Sequence, residues 1–161
     1  NHPIHLKVGT DLANTSLITM DSLGAVYQLH LNDQLKKITL EDIQKNTYFN
    51  FFDFDNNKSN DFVLGYEKTL KIIDLEKNIL FQNEFEFDIT QLPLHFTLKN
   101  KTNYTGVVTE NEIYLINSKG EIEEGFPLAG STPFSIADIN NDKTLNLVVV
   151  NSNVLYTYNL K

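Results

Sequence analysis

Two short stretches of this chain have the residue types and spacing to hold a hard cation. One reads Asp53, Phe54, Asp55, Asn56, Asn57, Lys58, Ser59, Asn60, Asp61. The other reads Asp138, Ile139, Asn140, Asn141, Asp142, Lys143, Thr144, Leu145, Asn146. Both put oxygen-bearing side chains at positions one, three, five and nine of a nine-residue segment, and Ser59 or Thr144 at position seven can offer a backbone carbonyl. Calcium takes about six to eight oxygens at about 2.3–2.6 Å, which a short loop supplies by turning alternate residues inward. The first segment carries three carboxylates (Asp53, Asp55, Asp61) and the second two (Asp138, Asp142). Fewer negative ligands bind calcium more weakly, so the first is the stronger candidate. Asp and Asn also cap turns without any metal, and the same residues would serve that purpose alone.

The elements that must position these loops are strands. Ile4, Leu6 and Val8 alternate with polar residues, as do Leu94, Phe96 and Leu98, and runs such as 26–31 and 154–158 are rich in β-branched and aromatic residues. Turn clusters at 21–24, 32–33, 117–120 and 151–153 separate them. The strands recur in a fixed order. A first strand ends near Val8, Phe54, Leu98 and Ile139, at intervals of 46, 44 and 41 residues. A polar loop, a second strand, a tight turn and a third strand follow each time. A fourth strand is predicted at 35–40, at 79–82 and, weakly patterned, at 121–126. The only helical expectation is one turn within Leu40–Lys45.

Four-stranded units recurring at this period predict an all-β, propeller-like chain of about four blades of four-stranded antiparallel sheet. Its repeats run approximately 3–46, 47–91, 92–131 and 132–161, in one domain or fragment over 1–161. A lone sheet cannot bury both faces, so such units are stable in company. An irregular β-sandwich is the alternative. The last unit lacks a fourth strand, which predicts an open or partial propeller and an exposed edge. That edge is expected to pair with a second copy or with the remainder of a larger propeller.

The two acidic segments resemble the calcium loop of FG-GAP/VCBS repeats, the propeller repeats of integrin α-chains and many bacterial surface proteins, whose pattern is D-x-[DN]-x-D-G-x-x-D. The stretch Gly120-Glu121-Ile122-Glu123-Glu124-Gly125-Phe126-Pro127 resembles the Gly-Phe-Pro piece common in bacterial members. The chain departs from the pattern at position six (Lys58 and Lys143 for Gly), at position five of the first loop (Asn57) and at position nine of the second (Asn146). A Lys at position six is sterically costly if its φ is positive. The equivalent stretches 7–11 and 97–101 have lost the pattern. The resemblance implies a structural Ca2+ at a blade rim and an exported protein of the cell surface or periplasm.

Composition narrows the function. The chain has 161 residues and a net charge of −8, and all 13 of its basic residues are Lys. Without Arg forks or a basic footprint, nucleic-acid binding is not expected. No apolar run approaches a membrane span. The absence of cysteine removes disulfides, thiolate metal sites and thiol nucleophiles. No G-x-S-x-G, H-E-x-x-H or phosphate-cradling glycine loop occurs. His5 and His95 occupy matching places on innermost strands, but zinc would need a third ligand, and both read as outward polar residues. Glu121, Glu123 and Glu124 read as a solvated strand and turn. The expectation is a non-catalytic binding or scaffold module for a protein or glycan. The alternative is a fragment of a propeller-type glycoside hydrolase or polysaccharide lyase, which would need a carboxylate pair across a cleft.

Overall fold

The computed structural model describes residues 4–8, 11–41, 43–98 and 101–160. These residues form strands and turns, with no helix among them. The first sheet contains β1 (His5–Lys7), β2 (Ser16–Met20), β3 (Ala25–His30) and β4 (Leu35–Thr39). The second contains β5 (Tyr48–Phe52), β6 (Asp61–Tyr66), β7 (Thr69–Ile73) and β8 (Ile79–Glu84). The third contains β9 (Leu94–Thr97), β10 (Asn103–Val108), β11 (Glu112–Asn117) and β12 (Leu128–Ala129). The fourth contains β13 (Ser135–Ala137), β14 (Leu145–Asn151) and β15 (Val154–Leu160). Each sheet is an antiparallel meander in which sequence neighbours are spatial neighbours. The expected four sheets are present, and their first strands end within one or two residues of the predicted landmarks.

Alternation on each strand sends one set of side chains to the preceding sheet and the other to the next. Ile18, Met20, Val26 and Ile38 of sheet one meet Phe49, Phe51, Phe62 and Leu64 of sheet two. Val63, Leu70 and Ile72 leave the other face of sheet two to meet Val107, Tyr114 and Ile116 of sheet three. Val108, Ile113 and Leu115 of sheet three then meet Leu147 and Val149 of sheet four. Sheets two and three are covered on both faces, so Asp61–Gly65 of β6 is buried without a break. Sheet one has one covered face, and β2 alternates between buried and half-buried. Close packing sets local sequence choices. A Cβ on Gly106 would lie 2.7 Å from Phe134 and 2.8 Å from Phe96.

Two expectations are corrected. The fourth strand of sheet three is not at 121–126. Ile122 makes only an isolated bridge to Ile116, and the chain turns away where the Phe126 N–H donates to the Glu123 carbonyl. Pairing resumes at Leu128 and Ala129, opposite Ile113 and Glu112. The stretch before it offers three glutamates and Gly125 (φ 92°), and little that a buried ladder would hold. The helical turn expected at Leu40–Lys45 is also absent among its described residues; Asp42 lies outside them. Leu40 N–H instead donates to the Gly24 carbonyl, which keeps that end in the sheet, and Asn46 reverses the chain at φ 66°.

Candidate metal centre

The two acidic loops join the first strand to the second in sheets two and four, and they fold the same way. In the first, both oxygens of Asp53 accept backbone N–H groups, from Asn57 at 3.0 Å and Lys58 at 2.9 Å. In the second, Asp138 accepts from Asp142 at 3.1 Å and Lys143 at 2.8 Å. Position five caps position seven in both: Ser59 N–H donates to Asn57 Oδ1 at 2.6 Å, and Thr144 N–H to Asp142 Oδ1 at 2.7 Å. Position nine reaches back to position two: Phe54 N–H donates to Asp61 Oδ2 at 2.9 Å, and Ile139 N–H to Asn146 Oδ1 at 3.2 Å. Positions four and six are left-handed in both, at Asn56 (67°), Lys58 (72°), Asn141 (59°) and Lys143 (71°). The two lysines that replace the pattern's glycine thus adopt the backbone that glycine would favour.

The loops differ at position nine. Asn146 is buried and spends its amide on Asn159 Oδ1 at 2.8 Å. Asp61 is buried to 1% exposure, and its Oδ1 has no hydrogen-bond partner. One carboxylate oxygen from each of Asp53, Asp55 and Asp61 lies within 4.8 Å of the others. Burial pushes the Asp61 pKa up to about 6; the Phe54 N–H opposes this, and the charges of Asp55, Asp53 and Asp74 add to it. Asp74 lies one step beyond the Phe62–Ile73 pair of the β6–β7 ladder. It caps its own turn through Asn78 and Glu76, and those hydrogen bonds, led by the Asn78 side chain, hold its pKa down. A negative carboxylate therefore faces Asp61, where the fourth sheet has the neutral Asn159.

The residues present fit a calcium ion. Its donors would be Asp53, Asp55 and Asp61, and the loop pattern offers Asn57 and the Ser59 carbonyl as further oxygens. The orphaned buried oxygen of Asp61 is the observation that favours a cation there. The carboxylate oxygens of Asp53 and Asp55 already accept N–H bonds, and each retains a lone pair for a metal. The loop is anchored from both sides. Phe54 is buried 5.7 Å from Phe81, and Asn103 of β10 donates to the Asp53 carbonyl at 2.8 Å while accepting from Thr97 at 3.0 Å. In the second loop Ile139, at the position of Phe54, is exposed. Asp138, Asn140 and Asp142 are bound up with one another and with the loop backbone.

Asp74 and Asn103 are site residues that sequence reasoning passed over. Asp74 can be found by counting across the hairpin from Asp61; Asn103 comes from another repeat and carries no local signal. His95 stacks on Phe52 at 4.5 Å, and the covered ring face lowers its pKa although the residue remains exposed at its edge. The side chain of His5 lies outside the described residues, as do Gly9, Thr10, Lys99 and Asn100 of the two eroded loops.

No protein-family model matches the chain, and no curated protein matches it in sequence. Solved structures match it in fold. BBS1N, in a complex with ARL6DN, aligns with a TM-score of 0.63 at 12% identity, over 97% of this chain and 50% of that one. A streptogramin B lyase aligns with a TM-score of 0.52 at 12% identity, over 96% of this chain and 53% of that one. The virginiamycin B lyase from Staphylococcus aureus aligns with a TM-score of 0.52 at 12% identity, over 97% and 55%. The fold is that of a β-propeller. The chain spans about half the length of these propellers. At this level of identity the likeness extends to the fold alone. Among the described residues, no helix is long and apolar enough to cross a membrane.

Proposed function

We propose that the chain is a section of an FG-GAP/VCBS-like propeller that serves as a non-catalytic binding or scaffold module for a protein or glycan. A structural Ca2+ held by Asp53, Asp55 and Asp61 would stiffen its second sheet. The observation that carries the cation is the Asp61 oxygen, buried, unpartnered and beside two further carboxylates. Three carboxylates, two half-buried and one buried, suit the weak, millimolar class of calcium site, which is in keeping with an exported protein. The binding role is supported by the propeller fold, which in BBS1N is found in complex with ARL6DN.

A thermal melt in EDTA and in several millimolar Ca2+ tests this reading. At tenfold excess over Kd the ion adds about 1.4 kcal/mol, or roughly 3–6 °C for a chain of this size. The wild type is expected to show that rise and Asp55→Ala to lose it. An unchanged wild-type midpoint refutes the cation. Release of reducing ends or unsaturated products from a polysaccharide panel refutes the non-catalytic assignment.

A further inference from the structure

Each sheet pairs the last residue of its first strand with a buried polar residue near the start of its second. The pairs are Lys7 with Ser16, Phe52 with Asp61, Thr97 with Asn103 and Ala137 with Asn146. This is position nine of the loop pattern, and it stays polar and buried even where the rest of the loop has eroded. Its partners differ from sheet to sheet. Ser16 accepts from Gln28 of its own sheet at 3.0 Å, and Asn146 donates to Asn159 of its own sheet at 2.8 Å. Asp61 leaves one oxygen without a partner. Asn103 turns to the neighbouring sheet. Its amide donates to the Asp53 carbonyl at 2.8 Å, and its oxygen accepts from Thr97 at 3.0 Å, which fixes the direction of the amide.

The contact with Asp53 is the last of a row. Tyr48, Asn50 and Phe52 alternate along β5 on the face that meets sheet three. The Tyr48 hydroxyl donates to the Thr90 carbonyl at 2.8 Å and the Asn50 amide to the Pro93 carbonyl at 2.8 Å, and the Phe52 ring stacks on His95 at 4.5 Å. The first strand of sheet two is thus tied to the connection before β9 and to β9 itself, up to the first residue of the acidic loop. Asp53 serves two ends at once. Its carbonyl holds sheet three through Asn103, and its carboxylate stands within 4.8 Å of those of Asp55 and Asp61. Like charges at that separation repel, and the repulsion acts on the residue that closes the row.

We infer that the first loop is a cation-dependent clamp between sheets two and three. With its carboxylates neutralised by an ion, Asp53 holds Asn103 and the seam stays closed. With them bare, the seam opens first along β9 and the start of β10. Coupling of this kind is reciprocal, so Asn103 also tightens the loop around its ion. This rests on the reading of the loop as a calcium site, and it places the effect of the ion in the joint between two sheets as well as in the second sheet.

Amide hydrogen exchange of the full chain, read by mass spectrometry in EDTA and in calcium at tenfold excess over Kd, tests the clamp. Calorimetric titration of the same protein supplies Kd. Exchange over Leu94–Thr97 and 103–106 should slow about fivefold to tenfold, against a ceiling of about elevenfold at that excess, and β2 and β3 of sheet one should change by less than about twofold. Asn103→Ala should keep the slowing over 53–61 and lose most of it over 94–97 and 103–106, and its calcium affinity should fall about threefold to tenfold. Thr97→Val, at an exposed position, takes away the donor that orients Asn103 and should act in the same direction by a smaller factor; it carries the test if Asn103→Ala does not fold. Calcium bound by calorimetry with exchange unchanged over 94–97 and 103–106 overturns the clamp and leaves the calcium site standing. An equal response in the wild type and the variants overturns it as well. Absence of calcium binding by calorimetry overturns both the clamp and the site.

Discussion

Replacing Asp61 with Asn should stabilise the metal-free protein at neutral pH, although it alters a buried, hydrogen-bonded residue. The fourth sheet already carries the substitution. Asn146 accepts the equivalent N–H from Ile139 and directs its amide at Asn159. In Asp61→Asn the carbonyl oxygen keeps the Phe54 N–H, and an amide replaces an oxygen that has no donor and faces Asp53, Asp55 and Asp74. The size of the effect follows from the pKa of Asp61, raised from 3.8 to about 6. Fully realised, that rise is worth up to about 3 kcal/mol, and solvent at the rim reduces it to roughly 1–2 kcal/mol. The folded pKa lies above the unfolded one, so between them the folded state holds more protons. Its stability is highest below about pH 4 and falls as pH rises through about 6. The gain in Asp61→Asn should therefore be near zero at pH 4 and complete by pH 7.5, where it amounts to roughly 3–6 °C in midpoint. Urea unfolding in EDTA at both pH values measures it. A variant less stable than wild type at pH 7.5, or an equal difference at both pH values, would refute the argument. The same variant should not respond to calcium.

Asn103→Ala removes donors to the Asp53 carbonyl and a partner of Thr97 at a buried position, and should cost about 1–3 kcal/mol in urea unfolding while weakening calcium binding through the loop. Gly106→Ala forces a methyl against Phe134 and Phe96 and should cost about 1–3 kcal/mol, read in the same experiment. Lys58→Gly relieves a left-handed residue at φ 72° and should raise the melting midpoint by the equivalent of about 0.5–1 kcal/mol; a fall would show that the lysine contributes more than its backbone strain.

The four units were legible because alternation and turn residues act locally, and because sheets two and three bury both faces and so demand long apolar runs. The two loops were legible for the same reason: Asx caps bind backbone a few residues away, and the oxygen pattern at odd positions is their direct imprint. The outer strand of sheet three was misplaced because Ile122 offers one apolar residue in a polar stretch, whereas the actual strand is two residues long and held by Ile113 and Glu112. What separates the two loops was not legible. Asp61 and Asn146 differ by one atom type, and the consequence depends on Asp74 and Asn159 across the hairpin and on Asn103 from another sheet. Both Asp61 and Asn146 are buried, so what sets the loops apart is the partner each finds: the Asn146 amide reaches Asn159, and Asp61 Oδ1 has none.

Crystals grown in millimolar calcium test the central claim most directly. One strong calcium peak is expected in the first loop, at about 2.3–2.6 Å from oxygens of Asp53, Asp55 and Asp61. A first loop without calcium, or an ion held at Asp138 and Asp142 while Asp61 Oδ1 stays unbound, would contradict it.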